Sequence, residues 1–161
     1  MMPLFIKRMT EKYAVDALCW KYEKPYDFYN NVLSGSAIME LLTYRYFAVV
    51  NEKNQLVGYF CIGKSAQIPS GDQKGIYSED CIDVGIAMKP ELTGKGNGYL
   101  FFSHILKYIM KLEKEKDIRL TVATFNQRAI QLYKKLGFVK LRKFKSDHIE
   151  YLLMKKEVNG E

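Results

Sequence analysis

The chain has 161 residues, 48% hydrophobic and 27% charged, the length and balance of one globular domain able to bury its own core without disulfides or metals. Cys19, Cys61 and Cys81 are odd in number and far apart, which argues against a disulfide framework or a zinc site; no signal peptide is apparent and no apolar run reaches the ~18–20 residues of a membrane span, so a cytoplasmic location with no membrane partner is expected. Lys and Arg outnumber Asp and Glu by 25 to 18, and the net charge of +7 suits a polyanionic partner as well as a merely soluble basic surface; without a block of five or more like charges, no nucleic-acid partner is expected.

In chain order, "PLFIKRM" alternates loosely and predicts a first strand. "EKYAVDALCWKY" predicts a short helix with Ala14, Leu18 and Trp20 near one side. Pro25 breaks it, and "KPYDFYNN" supplies a dense aromatic group. "SAIMELL" predicts a second helix. "YRYFAVV" and "QLVGYFCIG", separated by the polar tetrad "NEKN", predict a hairpin. "KSAQIPSGDQKG" reads as a loop. "CIDVGIAM" is a strand with Ile82, Val84, Ile86 and Met88 on one face, ended near Pro90. Phe101, Ile105, Tyr108, Ile109 and Leu112 then recur at helical spacing. "IRLTVATF" is a strand, and "NQRAIQLYKKLG" a helix with Asn126 as N-cap and Gly137 past its end. "FVKLRKF" and "IEYLLMKKEV" close the chain as strands. Interleaved strands and helices predict an α/β fold with a mixed sheet, helices on both faces, in a single domain over residues 1–161.

Gly94, Gly96 and Gly98 fall on alternate positions between a strand and a helix. A helix N-terminus has unpaired N–H groups and partial positive charge. Glycines let the loop curl so that those groups converge on an anion. The Walker pattern is absent and the dinucleotide spacing GxGxxG is not met, so a plain tight turn stands beside a phosphate cradle as a reading of the loop. Asn126 and Tyr133 are seven residues apart on the later helix, roughly 10 Å along its axis and on one face. Alone, they read equally as a helix cap and a core aromatic.

Together, these two segments resemble the GNAT superfamily of acetyl-CoA-dependent N-acetyltransferases. Thr93-Gly94-Lys95-Gly96-Asn97-Gly98 stands at the family's loop pattern, with Thr93 in place of the usual Gln or Arg. Asn126, Ala129, Tyr133, Gly137 and Phe138 match its second segment. The resemblance covers most of residues 82–139, and before that only the order of elements agrees. It implies that the backbone of Gly94, Lys95, Gly96, Asn97, Gly98 and Tyr99 holds the pyrophosphate of coenzyme A. It also implies that Ile86, Ala87 and Met88 pair with the pantetheine amides, an amide near Met88 polarising the thioester carbonyl. Asn126 would bond the pantetheine arm, and Tyr133 would protonate the departing thiolate.

The expected reaction is direct attack of a neutral amine on acetyl-CoA, with no metal. The amine's proton must be taken by a base or by water. Glu79, Asp80 and Asp83, at the start of the strand leading to the loop, are the candidate bases, Asp83 first; a solvated strand-end carboxylate is the competing reading of Asp83. The acceptor, expected to be a small amine, should meet the segment "CWKYEKPYDFYN", above all Trp20, Tyr26, Asp27 and Tyr29, because aromatic faces and carboxylates suit a cation. An aromatic segment packed on the sheet is the competing reading. A non-catalytic acyl-CoA-binding regulator and a transferase for another acyl group are the rival functions, and a homodimer is compatible with the resemblance.

Overall fold

A computed structural model describes residues 2–158. Among them the β-rich runs form β1 (Phe5–Arg8), β2 (Tyr46–Val50), β3 (Leu56–Ile62), β4 (Ile82–Met88), β5 (Ile118–Ala123), β6 (Val139–Ser146) and β7 (Ile149–Lys156). The periodic runs form α1 (Glu11–Leu18), α2 (Gly35–Thr43), α3 (Gly98–Leu112) and α4 (Gln127–Lys135). Hydrogen bonding orders the strands β1-β2-β3-β4-β5-β7-β6. The sheet is mixed: β4 and β5 are parallel, while β1–β2, β2–β3, β5–β7 and β6–β7 are antiparallel. No helix among the described residues is long and apolar enough to cross a membrane.

The chain forms two compact units, one from the residues up to Cys61 with Ile86–Ile105, the other from Ile62–Gly85 with the residues from Leu106 on. In the first, the helices start where side chains replace missing backbone partners. The Thr10 hydroxyl accepts from the Tyr13 amide at the mouth of α1, and Ser34 accepts from Ala37 at the mouth of α2. The β2–β3 turn closes on Asn51, whose Oδ1 accepts from the amides of Lys53 and Gln55. Ala14, Leu18, Trp20, Leu41 and Val50 pack in one buried cluster; burying each large apolar side chain stabilises the unit by roughly 1.5–3 kcal/mol. Gly58 on β3 is a close-approach glycine. A Cβ there would lie 2.3 Å from the Phe101 ring and 2.7 Å from the Ala87 carbonyl oxygen.

In the second unit, β7 lies between β5 and β6, with Thr121 opposite Leu153 and Phe144 opposite Tyr151. Ile76, Tyr77, Phe144 and Leu153 form a small buried cluster. The expected loop after β3 is largely two short 3-10 helices, Lys64–Ala66 and Pro69–Lys74.

The stripe expected on α3 is shifted. Phe101, Phe102, Ile105, Leu106 and Ile109 are buried, whereas Leu112, its expected last member, is exposed at the helix end. Spacing alone could not separate a core position from the last, fraying turn.

Candidate active site

In the first unit the chain leaves β4, makes one 3-10 turn at Pro90–Leu92, and enters the glycine loop. Thr93 donates its hydroxyl to the Pro90 carbonyl (2.6 Å), and the Asn97 side-chain amide donates to the Leu92 carbonyl (3.0 Å). These bonds brace the loop on both sides. Gly94 and Gly96 have φ of 70° and 81°, a region that side chains resist. The Asn97 carbonyl accepts the first α3 bond, from Phe101 (3.0 Å), so the amides of Gly98, Tyr99 and Leu100 open the helix without intrahelical partners. A Cβ added to Gly96 would meet nothing within 4 Å. The loop therefore borders open space at Gly96, and a glycine loop leading into the unpaired amides of a helix mouth is the backbone arrangement that suits a phosphate group.

The end of β4 presents two edges. Lys89 donates its amide to Val57 on β3 (2.9 Å). Because successive residues of a strand alternate their hydrogen-bonding direction, the Met88 amide and carbonyl turn to the opposite edge. There the Tyr22 hydroxyl donates to the Met88 carbonyl (2.8 Å). Ile86, Ala87 and Met88 are all half-buried.

The aromatic segment divides. Trp20 is 7% exposed and belongs to the core. Tyr26 and Tyr29 are half-buried and Asp27 is exposed, all on one 3-10 turn, Tyr26–Tyr29. The structure adds residues that the sequence did not single out. The Tyr59 ring lies 6.0 Å from Trp20 and 6.2 Å from Tyr46, and the Tyr46 hydroxyl donates to Glu40 (3.2 Å). Tyr46 and Tyr59 come from β2 and β3, far from the aromatic segment in sequence, and only strand pairing brings them to it.

In the second unit, Asn126 caps α4, its side-chain oxygen accepting from the Ala129 amide (3.1 Å). Tyr133, on the same helix, is buried with its ring 6.1 Å from Phe138. Both the capping and the packing expected of these residues are present.

Asp83 differs from the solvated strand-end carboxylate considered above: it is 3% exposed. Its register partner on β5 is Arg119, 2% exposed. Arg119 donates from Nε to Oδ1 (2.6 Å) and from Nη2 to Oδ2 (2.9 Å), and the Gln67 amide also donates to Oδ2 (2.8 Å). The same guanidinium donates to the carbonyls of Glu79 (2.9 Å) and Tyr77 (3.4 Å) and lies 5.2 Å from the Tyr77 ring centre. A base needs an uncommitted lone pair facing its substrate, and this carboxylate is committed to a cation. Glu79 is exposed and accepts from Lys155 (2.9 Å); that hydrogen bond and charge hold its carboxyl below the usual range. Asp80 is exposed and paired with Lys116 (3.3 Å). No group of three or more metal-ligating side chains occurs among the described residues.

A model of the acetyltransferase (GNAT) family matches residues 8–138. No match was found among the curated proteins. Among solved structures, a chimera of the Vibrio cholerae spermidine N-acetyltransferase SpeG with hSSAT is similar at 20% identity and a TM-score of 0.66, over 96% of this chain and 95% of the other. An acetyltransferase of the GNAT family from Streptococcus pneumoniae is similar at 17% identity and a TM-score of 0.64, over 98% of this chain and 100% of the other. At these identities the likeness establishes the fold alone.

Proposed function

Because this chain belongs to the acetyltransferase (GNAT) family, we propose that its 161 residues act as one N-acetyltransferase domain that moves an acetyl group from acetyl-CoA to a primary amine. The observation that carries the reading is the braced loop with positive φ at Gly94 and Gly96, open to space at the mouth of α3. Its amides, from Gly94 through Tyr99, bind the pyrophosphate. The backbone of Ile86, Ala87 and Met88 pairs with the pantetheine amides. The oxyanion donor is assigned to the Met88 amide, since the Lys89 amide is spent on Val57.

The amine nitrogen forms a bond to the acetyl carbon, and the carbon–sulfur bond breaks. Tyr133 gives its phenolic proton to the leaving sulfur, and Asn126 positions the arm that carries it. The ammonium proton released from the amine passes to solvent. Asp83, held by Arg119 and Gln67, is assigned a holding role for β4 and β5 in place of the base role expected from its position. Glu79, already ion-paired and easily ionised, is a weak base.

Calorimetric titration with acetyl-CoA, followed by a thiol-release assay over a panel of amines, tests the reading. Acetyl-CoA should bind and at least one amine should release coenzyme A. Binding without release from any amine would favour the non-catalytic regulator. Absence of binding would remove the reading altogether.

A further inference from the structure

A cavity of about 340 Å³ in the first unit is lined from three separate segments: Lys12 and Asp16 on α1, Lys53 in the β2–β3 turn, and Lys89 just past β4. Its volume is that of a small-molecule site. The buried side chains of Tyr13 and Leu56 also line it, and both belong to the packed cluster of this unit, so the cavity rests on core. The turn that carries Lys53 is closed on itself. Asn51 Oδ1 accepts from the amides of Lys53 and Gln55, and the Asn51 carbonyl accepts from the Asn54 amide (3.0 Å each). With those amides spent, a ligand entering here meets ammonium groups rather than backbone donors.

Three lysines and one carboxylate surround this space. Glu11 and Glu52, beside Lys12 and Lys53 in the chain, are not among the lining residues. Lys12, Asp16 and Lys53 form no ion pair among the described residues. Lys89 is paired with Glu91 at 3.7 Å, but both side chains are open to solvent (37% and 68%), and such a pair is worth little and readily exchanged. Like charges brought together from three segments repel, and a bound anion relieves the repulsion. Once Asp16 is counted, two positive charges remain along the lining, which match the charge of about −1.5 to −2 on a phosphate monoester at neutral pH. A carboxylate or a phosphodiester brings only one charge to them. Lysine holds phosphate as a point charge, whereas a planar carboxylate is best held by the guanidinium fork, and no arginine is among the described lining residues.

We propose that this cavity binds a phosphate monoester, its dianionic head among Lys12, Lys53 and Lys89 and its organic part against Tyr13 and Leu56. Lys89 ties the cavity to the site described above. Its amide donates to Val57 and its carbonyl accepts from Leu92 (2.9 Å each), so it joins β4 to the approach of the glycine loop. The monoester has two sources. One is the 3′-phosphate of coenzyme A itself, which rests on the acetyltransferase reading. The other is a separate small molecule bound beside the cofactor.

An amide NMR titration of the whole chain with glycerol 3-phosphate at low salt reads the cavity and the glycine loop separately. The resonances of residues 12–16 and 53–56 should shift to saturation, and dimethyl phosphate, a singly charged diester, should move them at least about tenfold more weakly. Lys12 and Lys53 are exposed, so substituting them spares the core. Lys12→Gln with Lys53→Gln should weaken the response of those residues about tenfold, while Lys12→Arg with Lys53→Arg, which keeps the charges, should retain most of it. Calorimetry with coenzyme A and dephospho-coenzyme A then separates the sources. A preference of about tenfold for coenzyme A that the Gln variant loses assigns the cavity to the 3′-phosphate; equal affinities assign it to a separate molecule. A cavity unmoved by glycerol 3-phosphate, moved equally by dimethyl phosphate, or responding unchanged in the Gln variant overturns the proposal. Failure of the acetyltransferase reading appears separately, as absent binding of acetyl-CoA, and leaves the glycerol 3-phosphate titration as the test of the cavity.

Discussion

The two compact units each bury a polar group, and they treat it differently. In the second unit Asp83 and Arg119 are both buried, and both bonds of the guanidinium–carboxylate fork are made, with Gln67 and the carbonyls of Tyr77 and Glu79 adding to it. In the first unit Trp20 is nearly as buried, and its one donor is left over. A satisfied network is self-sufficient, since it fixes strands and a loop and asks nothing from outside. An orphaned donor fixes no neighbour and leaves the cost of its burial uncompensated. The contrast separates a carboxylate that resembles a catalytic base by its sequence position, yet is held in a network, from an aromatic side chain that is held by core packing.

The most severe test of that contrast removes one partner of the pair. Arg119→Met leaves a buried carboxylate without its cation and should cost about 3–5 kcal/mol of stability in urea denaturation. Asp83→Leu combined with Arg119→Met should recover most of the loss, because a buried pair replaced by apolar side chains is often neutral. Trp20→Phe should cost far less than Arg119→Met, since it deletes a donor that has no partner to lose. Equal losses in Arg119→Met and Trp20→Phe would erase the distinction between the units. A double variant no better than Arg119→Met would show that the pair is not the source of the stability.

Next in size is Tyr133→Phe, which keeps the ring against Phe138 and removes the phenolic proton. A thiolate is already a fair leaving group, so kcat should fall about 10²-fold, the low end for general-acid help, with acetyl-CoA affinity and thermal midpoint little changed. Unaltered kcat, measured where chemistry limits the rate, would make Tyr133 a core residue and leave the loop assignment in place.

Legibility in the sequence followed the range of the interaction. The glycine loop, the Asn126 cap and the hairpin at Asn51 depend on neighbours a few residues away, so spacing revealed them. The Asp83–Arg119 pair depends on parallel register between β4 and β5. Its only local sign is a charge inside each of two apolar runs, "CIDVGI" and "IRLTV". Read together, one acid and one base with no solvent face would have suggested that they meet. The aromatic cluster was half visible. Trp20 and Tyr22 were in the segment singled out for the acceptor, but Tyr46, Tyr59 and Glu40 arrive through strand pairing and a helix that no local pattern connects to it.

A smaller effect is expected at Gly96. Its φ of 81° makes any side chain there costly, whatever the loop binds. Gly96→Ala should therefore lower stability by roughly 1–2 kcal/mol through backbone strain. Acetyl-CoA affinity should fall as well, because a loop relaxed from positive φ turns its amides away. Restored affinity at high protein stability, for instance with an osmolyte, would show that strain and not amide direction was responsible.

The smallest effect concerns the exposed pair Glu79–Lys155 and is read from its pH dependence. The bond and charge from Lys155 hold the Glu79 carboxyl below its ordinary range, so the folded chain ionises it more readily than the unfolded chain does. Such a group adds stability that is fully present above the unfolded value and is lost as pH falls through the folded value. Wild type and Glu79→Gln should therefore differ by a constant small amount at neutral pH and converge in acid, with added salt shrinking the difference because the pair is exposed to solvent. Catalysis gives the second readout. With the ammonium proton going to solvent, Glu79→Gln should leave the acidic limb of the kcat profile where it was. If that limb disappears with the carboxylate, Glu79 is the base, and the ion pair is the device that keeps it ionised.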